Sequence, residues 1–254
     1  MRIDLNADVG ESFGSYTIGE DEKLFDFITS ANIACGFHAG DFNIMRETVE
    51  LAASKNVSIG AHPGYPDLQG FGRRAIQMPP REIYNAVVYQ IGALKQFCDI
   101  QGENISHVKP HGALYNTATI DANVAEAIAE AVYDTVPTAY LYGLCTSELL
   151  IAGSKIGLKL AGEAFADRRY TVDGNLCSRT LPNAVIHTYE EIEKQIVDIV
   201  VHKKLQTITG ETIELQADTI CFHGDGVGVA NYAKRIRQVL ETASIQVFAP
   251  GETL

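Results

Sequence analysis
No stretch of the chain approaches the roughly 18 consecutive apolar residues of a membrane span. Its most apolar helical run, IVDIVV at 196–201, is broken by Asp198. The opening residues MRIDLNADVGE are polar and acidic, unlike a secretory signal peptide. The five cysteines (Cys35, Cys98, Cys145, Cys177, Cys221) are odd in number and contain no C-x-x-C. They read as reduced thiols of a cytoplasmic protein, with Cys35 and Cys221 acting as small hydrophobes in strands. Positive charge is scarce: 20 Lys and Arg stand against 32 Asp and Glu, a formal net charge of −12. So acidic a chain is unsuited to nucleic acid or to an anionic membrane surface. Familiar catalytic signatures are also absent. There is no G-x-x-x-x-G-K-S/T phosphate loop, no G-x-S-x-G elbow and no H-E-x-x-H. GDGVGVA at 224–230 lacks the G-x-G-x-x-G spacing.

What is present is a repeated alternation. The 254 residues are 46% hydrophobic, enough for a substantial core, and the length suits a single α/β barrel. Short strand-like apolar runs fall at 3–8, 32–35, 57–61, 107–109, 138–142, 158–162 and 218–222. Helical patterns lie between them. Ile83, Val87, Ile91, Leu94 and Cys98 recur at spacings of three and four, just after Pro79 and Pro80. Thr188 and Glu191 have capping-box spacing ahead of Ile192, Ile196, Ile199 and Val200, and Val229, Ala233, Ile236 and Leu240 mark a last helix. Strand–helix repetition predicts a parallel sheet with crossover helices, and about seven units predict a barrel. Residues 203–217 read as an excursion, a small hairpin turning at Gly210. No linker or second core interrupts the pattern, so residues 1–254 are expected to form one β/α barrel domain.

Four strand ends share a signature. NIACGFHAGD (32–41), IGAHPGYPD (59–67), VKPHGALYN (108–116) and ICFHGDG (220–226) each run into a histidine with glycine one or two residues on. Loops after strand C-termini build the active sites of α/β barrels, and glycine there admits close backbone approach. His38, His62, His111 and His223 are therefore expected around one mouth. His107, His187 and His202 lack this context and read as ordinary. In the first strand Ile3, Leu5, Ala7 and Val9 share one face and Asp4, Asn6 and Asp8 the other. A polar face turned into the barrel would bring Asp8 and Glu11 to the mouth. Asp41 is either a site carboxylate or the N-cap of a helix beginning near Asn43. Five basic residues lie in glycine-rich segments: Arg73, Arg74, Lys109, Arg168 and Arg169. They point to an anionic substrate, with surface ion pairing as the alternative for the arginines. A desolvated Lys109 is expected to have a lowered pKa and to move protons. Glu163 and Asp167 would add carboxylates from another strand end.

The segments DLNADVGE, SANIACGFHAGD, IGAHPGYPD, GFGRR, HVKPHGALYN, EAFADRRY and HGDG, in that order from Asp4 to about Gly228, resemble the LamB/YcsF family, the A-subunit family of bacterial ATP-dependent 5-oxoprolinase. The resemblance implies an irregular seven-stranded β/α barrel akin to polysaccharide deacetylase barrels. It implies conversion of 5-oxo-L-proline, ATP and water to L-glutamate, ADP and phosphate, with ATP and Mg²⁺ serving the complex and subunits B and C as partners. A five-membered lactam is a stable amide, so its oxygen is expected to be phosphorylated before water attacks the ring carbon. On that reading Asp8, Glu11, His38 and His62 form the floor where water is activated, and Lys109 and His111 polarise the ring or transfer protons. Arg73 or Arg168 holds the substrate carboxylate or a phosphate, Glu163 and Asp167 contribute to substrate binding, and His223 and Asp225 complete the wall. One alternative is a metal-dependent deacetylase or amidohydrolase in which Asp8, His38 and His62 hold a divalent metal. Another is a non-catalytic substrate-binding subunit, which the missing nucleotide motif favours.

Overall fold
A computed structural model of the protein describes residues 1–222 and 229–252. In chain order the elements are β1 (Arg2–Val9), α1 (Asp21–Leu24), β2 (Ser30–Ala34), α2 (Phe42–Lys55), β3 (Ser58–His62), α3 (Pro80–Gln101), β4 (Ile105–Val108), α4 (Gly112–Ile120), α5 (Ala122–Thr135) and β5 (Tyr140–Leu144). There follow α6 (Glu148–Lys155), β6 (Lys159–Phe165), α7 (Tyr189–Val200), β7 (Lys204–Gln206), β8 (Thr212–Glu214), β9 (Thr219–Phe222), α8 (Val229–Thr242) and β10 (Gln246–Val247). Strands β1 to β6 pair in sequence order, all parallel; β9 joins β6 and closes back on β1. This is the seven-stranded parallel barrel expected from the alternation, and every strand-like segment is a strand. β10 adds beside the first residues of β1, and β7 and β8 form the expected antiparallel hairpin, with Gly210 in its turn at φ +96°. Among the described residues no helix is long and apolar enough to cross a membrane.

The helices form where the spacing put them. In α3 the stripe Ile83, Val87, Ile91, Leu94 and Cys98 is buried, and Pro80 occupies the first turn, where its missing N–H costs nothing. Burial of each large apolar side chain contributes about 1.5–3 kcal/mol. The capping box ahead of α7 is not formed as expected. Thr188 makes no side-chain bond to the helix backbone; its hydroxyl donates instead to Glu191 Oε2 at 2.7 Å.

The barrel interior is polar, whereas α/β barrels ordinarily fill theirs with branched apolar side chains. Asp4 accepts from Thr29 and Ser30 on one oxygen and from Tyr142 and Thr219 on the other. Asn6 donates to Glu163 and Thr219 and accepts from Asn32, which also donates to Asp8. These partners come from β2, β5, β6 and β9, so the second face of β1 does point inward. Each bond offsets the desolvation that an unpaired polar group would suffer. Burial pushes the Asp4 carboxyl up, and its four hydroxyl donors pull the other way. His107, which looked ordinary in sequence, belongs to this interior. Its Nε2 lies 2.8 Å from Asn32 Oδ1 and its ring stacks on Tyr142 at 4.3 Å. The ring has room only because residue 60 is glycine; a Cβ there would fall onto the imidazole.

Gly60→Ala is therefore expected to cost about 3 kcal/mol in urea unfolding, at the upper end for overpacking, and much less in a His107→Ala background. Equal costs in both backgrounds would contradict this packing.

Candidate active site
Parallel closure brings the C-terminal ends of the strands to one rim. Asp8 is the penultimate residue of β1, and Glu11 follows two residues after that strand ends. His38 lies in the loop after β2, His62 ends β3, and Lys109 and His111 follow β4. Above them opens a cavity of about 680 Å³, lined by Asp8, Glu11, His62, Lys109 and His111 at its floor. Arg73, Tyr115, Phe165, Arg168 and Arg179 line it further.

The imidazoles are oriented by backbone carbonyls. His62 Nδ1 lies 2.7 Å from the carbonyl of Lys109, and a carbonyl can only accept, so this nitrogen carries a proton. By the same logic His111 Nε2, 2.9 Å from the carbonyl of Phe71, is an N–H. Burial, reinforced by neighbouring His62, holds His111 well below the ordinary imidazole range, so the ring is neutral and its Nδ1 is a lone pair. That lone pair faces His62 Nε2 at 3.0 Å. Asp8 Oδ1 lies 3.4 Å from the same His62 nitrogen, and Glu11 Oε1 lies 3.7 Å from His111 Nδ1. His62 Nε2, His111 Nδ1 and the two carboxylates thus converge on one gap. His38 stacks flat on His111, with centroids 3.6 Å apart, and its Nε2 lies 3.3 Å from Glu11 Oε1. Burial and then the neighbouring imidazoles keep it neutral as well. Glu11, His38, His62 and His111 together present one ligand atom each within 4.8 Å of one another, a set suited to a divalent metal. Gly72, at φ +62°, lets the chain pass close enough to seat these rings; a Cβ there would come within 2.7 Å of both His38 and His111.

Lys109 departs from the expectation of a depressed, proton-moving amine. Burial alone would lower its pKa, but Asp8 and Glu163, each 3.0 Å from Nζ, outweigh that and raise it well above the ordinary lysine range. Asn6 Oδ1 and Cys221 Sγ complete its surroundings at 3.2 and 2.9 Å. The carboxylates around it thus favour the charged amine over the neutral one.

The remaining candidates divide. Arg73 and Arg168 line the cavity; Glu163 lies beneath it, in the interior; Asp167 is not among its lining residues. Arg74 pairs with Asp67, and Arg169 with Glu191 at 2.6 Å, so these two arginines follow the surface-pairing alternative. Asp41 is the N-cap of α2, accepting from the backbone of Asn43 and Ile44 and, on its other oxygen, from Gly14. His223 and Asp225 lie outside the described residues. The five cysteines are free, and burial pushes Cys35, Cys98 and Cys145 up to about 12, which makes them inert. Sequence reasoning missed Tyr115 and Arg179. Tyr115 follows His111 by one helical turn, a signal that was available; Arg179 has none, because its segment reaches the cavity only through the fold.

A parallel barrel with a carboxylate–histidine floor at the C-terminal ends of its strands places its polar cavity where α/β barrels build their sites. The chain belongs to the LamB/YcsF family, which it matches over residues 3–254. It is 50% identical over 246 residues to a protein of Oceanobacillus iheyensis named as the A subunit of 5-oxoprolinase, covering 97% of this chain and 96% of that one. It is equally identical over 252 residues to the Bacillus subtilis protein of the same name, covering 99% and 98%. The crystal structure of a lactam utilization protein from Thermus thermophilus superposes with a TM-score of 0.93 at 41% identity, covering 98% of this chain and all of that one.

The depressed imidazoles set an acid limit on stability. Unfolded histidines protonate near 6.5, but folded His107 does so only at about 3, where burial, then Lys109 and His62, hold it. The stability this confers is complete above pH 6.5 and is lost as pH falls toward the folded value, at about 1.4 kcal/mol per pH unit for a fully depressed histidine. Asp4, raised by burial, works in the opposite sense. The readout is therefore the difference between wild type and His107→Gln: denaturant unfolding between pH 7.5 and 5 should show a shallower acid slope in the variant. Identical slopes would contradict the assignment.

Proposed function
We propose that this chain carries out the ring-opening half of an ATP-dependent 5-oxoprolinase reaction, with partner subunits B and C supplying phosphoryl transfer from ATP and Mg²⁺. The observation that carries the reading is the facing pair His62 Nε2 and His111 Nδ1, 3.0 Å apart at the floor of the cavity. The family relatives, named as 5-oxoprolinase A subunits, support the substrate, and the absence of a phosphate-loop motif in the sequence supports placing ATP on the partners.

The chemistry follows from the leaving groups. A lactam phosphorylated on its oxygen returns to starting material if phosphate leaves first. Productive attack of water on the ring carbon must break the carbon–nitrogen bond. The imidazole pair takes the proton from water and returns it to the ring nitrogen, which leaves as the amine of an open acyl phosphate. A second water then releases phosphate and glutamate. Lys109 and Arg73 stabilise the negative charge that develops on oxygen. Glu11, His62 and His111, with His38 behind them, are also the residues that would hold a divalent metal. Bound there, it would lower the pKa of a water molecule.

The test is release of ADP and glutamate from 5-oxoproline by the chain with and without subunits B and C. Turnover in the mixture alone is expected. His111→Asn should reduce it by about 10²–10⁴-fold while circular dichroism is unchanged. No turnover with folded partners, or metal-dependent amide hydrolysis without ATP, would sink this reading in favour of an amidohydrolase.

A further inference from the structure
We propose that Tyr115 is a ligand-binding residue of the cavity, whose phenol donates a hydrogen bond to a neutral ring oxygen of the bound molecule. The proposal rests on the ring-opening reading for the ring itself, a small lactam; the donor stands on its own geometry.

Position is the first argument. His111 is the N-cap of α4 and Tyr115 stands one turn further on, so the two share a side of the helix, and both line the cavity. The Tyr115 ring meets that of Phe165 edge-on, with centroids 5.8 Å apart, and the Phe165 ring lies 5.3 Å from Lys109 Nζ. The phenol is therefore packed beside the buried ammonium and carried by a helix rather than a loop.

Hydrogen bonding is the second argument. Tyr115 is 4% exposed, and its Oη is buried without a hydrogen-bond partner. Buried phenols ordinarily find one. Two others in this barrel do: Tyr142 donates to Asp4 at 3.0 Å, and the Tyr170 hydroxyl accepts from the backbone N–H of Phe165 at 2.7 Å. Glu163 is near enough to act on Tyr115 as a charge and as an acceptor, yet no bond of normal geometry closes between them. Glu163 Oε1 is held instead by Asn6 at 2.9 Å and by Lys109 at 3.0 Å. A buried donor left open at a cavity is costly until a ligand completes it.

The surroundings select the acceptor. Burial, then the Glu163 charge, hold the phenol well above its ordinary range, so it remains an O–H and donates. The same charge repels an anionic acceptor. A carbonyl oxygen is neutral and accepts well, which meets both conditions. Leu144, Phe165 and Leu176 give the cavity an apolar wall, suited to the methylenes of a small ring. On the ring-opening reading the oxygen is the one on the ring carbon that water attacks, and an O–H directed at it draws electron density from that carbon.

Isothermal titration of the full chain with three ring carboxylates tests this. 5-Oxoproline carries the ring oxygen and the ring N–H, 3-oxocyclopentanecarboxylate keeps the oxygen alone, and cyclopentanecarboxylate has neither. Wild type should bind both oxygen-bearing rings more tightly than cyclopentanecarboxylate. Tyr115→Phe should weaken those two by about three- to tenfold and change cyclopentanecarboxylate by less than about twofold. The empty chain loses no hydrogen bond, so the urea midpoint of Tyr115→Phe should be unchanged or raised. Equal weakening of all three ligands, or a lowered midpoint with the oxygen preference intact, would assign the hydroxyl to packing or to Glu163 and overturn the proposal, as would absence of binding to wild type. Oxoprolinase turnover with an oxygen preference indifferent to Tyr115→Phe overturns the contact and leaves the ring-opening reading. A Tyr115-dependent preference without such turnover supports the contact and removes the oxoprolinase assignment instead.

Discussion
The structure hangs on one buried ammonium group. Lys109 Nζ sits between Asp8 and Glu163, 3.0 Å from each, carboxylates that come from opposite parts of the chain. Its backbone carbonyl meanwhile receives the Nδ1–H of His62. The same residue thus neutralises the interior and orients the first imidazole of the mouth. Removing its side chain would take away the cation that both buried acids share, while the donor Asn32 and the nearby His62 stay beside Asp8 and the donor Asn6 beside Glu163.

From that anchor the polarity of the barrel becomes intelligible. A packed apolar interior would need nothing from Lys109, but it would also offer nothing to the mouth. Here Asp4, Asn6, Asn32, His107 and Glu163 form a continuous bonded layer that holds Asp8 and Lys109 in place from below. The mouth sits on a rigid polar base, and neutral imidazoles persist there because burial and one another's proximity suppress their protonation. The wall above has the opposite character, with guanidiniums concentrated against a strongly acidic background.

Much of this was legible in the sequence because it follows from local periodicity. The seven strands, the inward polar face of β1 and the histidines at three described strand ends are all encoded within a few residues of where they act. What was not legible depends on partners distant in sequence. The state of Lys109 depends on Asp8 and Glu163, which only barrel closure brings to it. His107 has no strand-end signature because it works one layer lower, against Asn32 and Tyr142. Asp41 could be read either as cap or as acid until the start of α2 was known. Thr188 and Glu191 have the spacing of a capping box, yet their side chains bond to each other. Arg179 lies in an irregular segment whose position is set by bonding to the Arg168 turn, so no pattern announces it.

The central claim is that backbone carbonyls fix the two facing imidazoles so that their free nitrogens share one gap. Long-range proton–nitrogen correlation spectra of ¹⁵N-histidine-labelled protein at pH 7 report each ring directly. The account predicts a neutral His111 protonated on Nε2, and a His62 that carries a proton on Nδ1 whether or not Nε2 is also occupied. A His111 protonated on Nδ1, or a His62 with a bare Nδ1, would contradict it.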